Sequence, residues 1–157
     1  MDYYLKEQLF IFMRNEQTEK AIRLLKKFPN LLHEKIENGA TPFLLAVQFN
    51  NSTLIQWIAS KDVDVNVRDD SGRTAMMWAF LIGDLNLLSL LVKKGMDLNS
   101  YDKNDLLQES DLKITMERFI NEEHKRELFA FIYHHFHLLN EQNKKWYYAA
   151  RLKRLFR

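Results

Sequence analysis

Two stretches of this chain decide its fold: residues 38–46 read NGATPFLLA, and residues 71–79 read SGRTAMMWA. Gly39 and Gly72 lie 33 residues apart, and the same offset separates Thr41 from Thr74. Further pairs share this offset: Ala46 and Ala79, Leu54 and Leu87, Asp64 and Asp97, Asn66 and Asn99. So many like residues at one spacing indicate an internal repeat, in which each period is one structural unit.

Each repeated residue type also has a local physical reason. Gly39 and Gly72 lie in polar clusters, where a tight turn needs a positive φ that glycine adopts without strain. Thr41 and Thr74 come directly before apolar segments, which predicts that their side chains cap the first turn of a helix. Pro42 then occupies the first helical position, where a missing N–H has no cost.

The repeated segments resemble ankyrin repeats, whose period is also 33 residues. The resemblance covers residues 37–102 and includes the closing turns at 61–69 and 94–102. It implies an all-α, ankyrin-repeat-like solenoid of about four helix pairs with a C-terminal helix. The expected units are a capping repeat (1–36), two repeats (37–69 and 70–102), a divergent repeat (103–139) and a basic helix (140–157).

One position departs from the repeat pattern. Asp62 stands where the next repeat has Gly95, which is expected to end its helix in the left-handed region. The sequence therefore predicts that Asp62 adopts a left-handed conformation, which aspartate tolerates at some cost.

The composition excludes several classes of protein and of binding site. The chain has 157 residues, of which 46% are apolar and 28% charged, as in soluble globular proteins. It has no cysteine, so disulfides and thiolate metal sites are excluded. The early apolar run Leu9–Met13 is far shorter than the ~20 residues that span a bilayer. We expect a single domain over residues 1–157, no membrane insertion and a cytoplasmic location.

The resemblance implies binding of another protein through the concave face, which turn tips and first helices form. Positions that vary in the family flank the glycine and lie late in the first helix; they correspond here to Glu37, Asn38, Ala40, Gln48, Phe49, Arg68, Asp70, Ser71, Arg73, Leu81, Ile82 and Tyr101. From these, the predicted partner-binding residues are Phe49, Arg68, Asp70, Arg73, Leu81, Ile82 and Tyr101. Four of them are apolar or aromatic at positions where the family pattern predicts exposure, and clustered exposed apolar groups often mark partner sites. The alternative is that the C-terminal helices or a shifted register cover them.

The end of the chain is basic. Residues 142–157 have no acid and carry Lys144, Lys145, Arg151, Lys153, Arg154 and Arg157. Over 141–157 a helix would place Tyr148, Ala149 and Leu152 on one face and most cations on the other. Basic residues with interleaved aromatics predict, as an alternative function, binding of nucleic acid or an anionic surface. A plain capping helix is the competing interpretation, since cations favour a helix C-terminus.

Nothing in the sequence supports catalysis. A Gly-rich phosphate loop, a nucleophile elbow and a zinc-protease pair are all missing. His134 and His137 could share a helix face, but no further ligand completes a metal site with them. We therefore expect a non-enzymatic protein without cofactor or metal, and its length favours a small stand-alone inhibitor, immunity or adaptor protein.

Overall fold

The computed structural model describes residues 2–100, 109–119 and 122–155. Within these ranges the regular secondary structure is helical, with an isolated antiparallel bridge between Glu37 and Ala40. The α-helices are α1 (Asp2–Arg14), α2 (Thr18–Lys27), α3 (Pro42–Gln48), α4 (Ser52–Ala59), α5 (Ala75–Ile82), α6 (Leu85–Lys93), α7 (Asp111–Ile114), α8 (Glu122–His134) and α9 (Glu141–Leu155). Short 3₁₀ helices follow α2 (Pro29–His33) and α8 (Phe136–Leu138), and a π-helical turn (Thr115–Phe119) follows α7. The fold is thus an all-α ankyrin-repeat-like solenoid, as predicted.

The helix starts follow the predicted caps. The side-chain oxygen of Thr41 accepts the Leu44 N–H at 3.4 Å, and Pro42 is the first residue of α3. In the next repeat Thr74 accepts the Met77 N–H at the same distance. Both threonines cap helices that begin consecutive repeats, so the repeated sequence produces a repeated backbone.

The turns before these helices are formed by glycines in the left-handed region. Gly39 has φ 72° and Gly72 has φ 76°. The two turns touch, because the Asp70 N–H donates to the Asn38 carbonyl at 2.9 Å. This bond joins equivalent turns of adjacent repeats and fixes their spacing.

The prediction for Asp62 is wrong. Among the described residues, the non-glycine residues with positive φ are Glu16, Asn38 and Asn50. Helix α4 instead ends at Ser60 in the right-handed region, where the Ser60 hydroxyl donates to the Trp57 carbonyl at 2.7 Å. A polar side chain that closes the helix locally removes the need for a left-handed residue. Gly95 does adopt φ 85°, as predicted.

The core runs through the whole stack. Ala46 and Ala79 are completely buried, and small side chains at these positions let neighbouring helices approach closely. Phe43 and Phe80 are among the largest fully buried side chains. The same cluster continues from α1 to α9 through these further buried residues: Leu9, Met13, Leu25, Leu54, Ile58, Leu88, Leu91, Leu112, Met116, Leu128, Ile132 and Tyr147.

The C-terminal segment joins the stack through buried polar contacts. Asn143 of α9 is 2% exposed and donates to the Leu98 carbonyl at 3.2 Å. Its side-chain oxygen accepts the Ser110 hydroxyl at 2.6 Å. Because buried amides must be hydrogen-bonded to be tolerated, these contacts fix α9 against the end of the repeats. No helix in the described ranges combines the length and apolar character needed to cross a membrane.

Candidate functional site

The turns at 37–40 and 69–73, together with α1, α3 and α5, form one surface of the stack, which we call the inner face. A hollow of about 110 Å³ lies on this face where α1 approaches α3 and the two turns. Its lining is mixed apolar and polar and consists of Phe10, Arg14, Glu37, Asn38, Ala40, Leu45, Gln48, Phe49, Asp69 and Arg73. Most of these residues were identified from the sequence as variable positions of the repeat.

One wall of the hollow is aromatic. The rings of Phe10 and Phe49 lie 6.1 Å apart between centroids, at an interplanar angle of 49°. Both side chains are half-buried, so each ring keeps an accessible edge while packing against the core. Aromatic groups held in this way offer a large contact area with little conformational entropy to lose on binding.

The lining of the hollow also includes an arginine with an ordered side chain. The Arg73 Nε donates to Asp69 Oδ2 at 3.1 Å, and the guanidinium lies 4.9 Å from the centroid of the Trp78 ring. Asp69 is itself fixed, because its Oδ1 accepts the backbone N–H groups of Ser71 and Arg73, each at 2.9 Å. These contacts orient Arg73 in advance, and arginine is enriched among residues that dominate binding energies.

Three other predicted binding residues lie at the surface near these turns or at the end of α5. Asp70 is exposed at the tip of its turn. Leu81 is 36% exposed and Ile82 is half-buried. Leu81 and Ile82 lie one period of 33 residues after Gln48 and Phe49. They therefore occupy, in the next repeat, the positions of two residues that line the hollow.

Arg68 has an internal role. Its Nη2 lies 2.6 Å from Asp111 Oδ2, and its Nη1 donates to the Gly72 carbonyl at 2.7 Å. The Asp111 side chain is 3% exposed, so the pair ties the repeat at 37–69 to α7. We therefore leave Arg68 out of the proposed binding surface. The predicted Tyr101 lies outside the described residues.

Sequence reasoning missed four residues of the hollow: Phe10, Arg14, Leu45 and Asp69. A signal for Phe10 was present, because this residue is apolar but lies about 100° around the helix from Leu9, which the core buries completely. A large apolar side chain beside the buried stripe of a terminal repeat indicates a second apolar surface.

The predicted basic residues of α9 have different surroundings. Lys144 pairs with Glu141 at 2.9 Å, and this hydrogen bond lowers the pKa of the Glu141 carboxyl. Lys145 and Lys153 are exposed, and the Arg151 guanidinium lies 5.5 Å from the centroid of the Tyr133 ring. The side chains of the two remaining predicted cations, Arg154 and Arg157, lie outside the described part of the chain.

The histidines considered for metal binding do not converge. His135 directs its Nδ1 to the Phe131 carbonyl at 2.9 Å, while His134 and His137 are exposed. Across the described ranges, no group of three or more histidine, aspartate or glutamate side chains is placed to hold a metal ion.

Comparisons with known proteins identify the family of the repeats. A family model described as ankyrin repeats, in three copies, matches residues 9–102. Human neurogenic locus notch homolog protein 2 is 27% identical over 74 residues, which is 47% of this chain and 3% of that protein. The putative ankyrin repeat protein L371 of Acanthamoeba polyphaga mimivirus is 28% identical over 71 residues, which is 45% of this chain and 9% of that protein. The chain thus spans less than a tenth of the length of these relatives.

Proposed function

The chain belongs to the ankyrin repeat family, and from this premise we propose that it binds a partner protein through the inner face. Ankyrin repeats are generally protein–protein interaction modules, and the family is typically a non-enzymatic scaffold. The inner face contains the turns and first helices, where the resemblance predicts the binding surface.

The hollow between Phe10, Phe49 and Arg73 is the observation that supports this proposal most strongly. An aromatic pair and an oriented arginine surround it, and such groups are typical anchors of protein interfaces. Leu81 adds exposed apolar surface one repeat further along. A partner side chain that enters the hollow can contact both the rings and the guanidinium.

Such binding would act without chemistry of its own. A partner held on the inner face has its bound surface blocked, which is the action of an inhibitor or immunity protein. An adaptor role requires in addition a second surface on this chain. The cytoplasmic location stays a prediction.

Replacement of Arg14 by glutamate together with Leu81 by serine is expected to reduce partner capture at least ~tenfold, a loss of about 1.4 kcal/mol of binding free energy. Arg14 is an exposed residue on the rim of the hollow and Leu81 is partly exposed, so the variant should keep its helical circular dichroism and cooperative melting. Capture is measured by immobilising the tagged chain, passing extract of its source cells over it, and quantifying retained proteins by mass spectrometry.

The matched control is Arg23→Glu, which makes the same charge change on α2 at a side chain that is 79% exposed. This control should retain the same proteins as the unmodified chain. If the control and the inner-face variant retain equal amounts of every protein, the partner binds elsewhere and the proposal is wrong.

A further inference from the structure

Helix α9 packs through its polar side and exposes part of its apolar stripe. Asn143 and Tyr147 of α9 face the core, whereas Tyr148 and Leu152 are each 54% exposed. Tyr133 of α8, 57% exposed, lies on the same surface beside Arg151. We call the surface formed by Tyr133, Phe136, Tyr148, Arg151 and Leu152 the terminal surface.

The terminal surface differs from an ordinary solvent-facing surface of a repeat protein. A helix face that packs on no neighbouring helix normally carries polar side chains. Here two aromatic side chains and a leucine are exposed instead. Exposed apolar groups in one patch, rimmed by polar residues, often mark an interaction site.

Ring contacts hold this surface in place. The rings of Phe136 and Tyr148 lie 5.2 Å apart between centroids, in an edge-to-face arrangement. Lys144 lies 5.7 Å from the centroid of Phe136, and Arg151 lies 5.5 Å from that of Tyr133. Side chains that are already ordered lose less entropy when a partner binds.

The α9 residues around the terminal surface are mostly cationic. Lys145 and Lys153 are exposed on α9 beside Tyr148 and Leu152. The sequence of α9 (Glu141–Leu155) has a single acidic residue, Glu141, and this residue pairs with Lys144. A partner with complementary charge is therefore acidic. It must also present apolar side chains, because the centre of the terminal surface is apolar.

We propose that the terminal surface binds an acidic amphipathic helix of a different protein. Tyr148 and Leu152 are four residues apart and form one stripe, which suits apolar side chains spaced by one helical turn. Lys145 and Lys153 lie beside this stripe and meet the acidic residues of the partner helix.

Two other occupants fit the structure less well. A second copy of this chain that docked through α2 would bring mostly like charge, because the exposed Lys20, Arg23, Lys26 and Lys27 of α2 outnumber its Glu19. Single-stranded nucleic acid needs open ring faces for base stacking. Arg151 and Lys144 each lie over one face of the rings of Tyr133 and Phe136, and Leu152 offers no ring, so Tyr148 is the main ring left for base stacking.

The test uses a fluorescently labelled synthetic peptide of about five helical turns, with leucine on one face and glutamate on the other. We expect fluorescence anisotropy to show saturable binding that weakens as ionic strength rises from low to physiological values. The double variant Lys145→Glu and Lys153→Glu should weaken binding roughly tenfold, and Leu152→Ser should weaken it by a similar factor.

A charge-matched control, Lys26→Glu with Lys35→Glu, changes two exposed lysines far from α9 and should bind the peptide like the unmodified chain. A peptide of the same composition with its leucines scattered around the helix should bind at least ~tenfold more weakly. An oligouridylate of about twelve nucleotides and phosphatidylserine vesicles are measured in parallel. The proposal is overturned if the peptide does not bind, if the terminal variants bind it unchanged, or if either of the other two probes binds more tightly.

Discussion

Replacing Arg68 with methionine is expected to lower the free energy of unfolding by about 3 kcal/mol. Asp111 would lose its bidentate partner, with Arg68 Nη2–Asp111 Oδ2 at 2.6 Å and Nη1–Oδ1 at 3.3 Å. In this variant the buried Asp111 carboxylate would keep the hydrogen bond that it accepts from the Ser100 hydroxyl at 2.7 Å. An uncompensated buried charge is costly, although the quarter exposure of the Arg68 side chain keeps the loss at the lower end of the range for buried pairs. Urea denaturation followed by circular dichroism measures it.

Two further variants separate the charge from other effects of the substitution. Lys6→Met removes the more exposed ion pair with Glu34, at 3.0 Å, and should cost less than about 1 kcal/mol. The double variant Arg68→Met with Asp111→Leu leaves no unpaired charge, so it should recover part of the lost stability. A loss for Arg68→Met no larger than that for Lys6→Met would contradict the proposed link between the repeats and α7.

This prediction also concerns the single domain expected over residues 1–157. The Arg68–Asp111 ion pair joins two different units of the chain. We therefore expect these units to unfold together, in one cooperative transition, in the unmodified chain. Arg68→Met should shift the midpoint of this transition for the whole chain. Two separate transitions in the unmodified chain would mean that the repeats and the C-terminal helices fold independently.

Gly39→Ala is expected to destabilise the protein by about 2–3 kcal/mol. Gly39 has φ 72°, and an added Cβ would lie 2.1 Å from Asp70 Oδ1 and 2.8 Å from the Asp70 backbone nitrogen. The side chain of Asp70 could move, but the backbone could move only by breaking its hydrogen bond to Asn38. The effect is measured by the same urea denaturation.

Gly95→Ala is the matched control for this substitution. Gly95 has φ 85°, but an added Cβ would meet no heavy atom within 4 Å. Its cost should be about 1 kcal/mol, which is the conformational cost of a left-handed alanine. The difference between the two variants isolates the close approach of the turns, and equal losses would show that the turns are not packed as described.

Local features of the repeats were predictable from the sequence because each depends on few neighbouring residues. The caps at Thr41 and Thr74 need only a hydroxyl and a free backbone N–H three residues later. The turns at Gly39 and Gly72 need only a residue that accepts a positive φ. Asp62 shows the limit of this reasoning, because Ser60 closed the helix in a way that the repeat pattern did not contain.

Contacts between distant segments could not be predicted in this way. Arg68 and Asp111 are 43 residues apart, and no period relates them. The hydrophobic pattern of α9 also placed Tyr148 and Leu152 on an apolar face without indicating which side packs. The structure buries Tyr147 and Asn143 instead, because Asn143 finds buried partners at Ser110 and Leu98. Burial accordingly raises the pKa of the Tyr147 phenol.

The central claim is that consecutive repeats stack so that their turns form one inner face, and the Asp70 N–H bond to the Asn38 carbonyl tests it most directly. Nuclear magnetic resonance detects such a bond as a coupling between the amide nitrogen and the carbonyl carbon across it. We expect a measurable coupling between the Asp70 nitrogen and the Asn38 carbonyl carbon, together with slow exchange of the Asp70 amide hydrogen although its side chain is exposed. Loss of the coupling, with an Asp70 amide that exchanges as fast as in an unfolded peptide, would contradict the central claim.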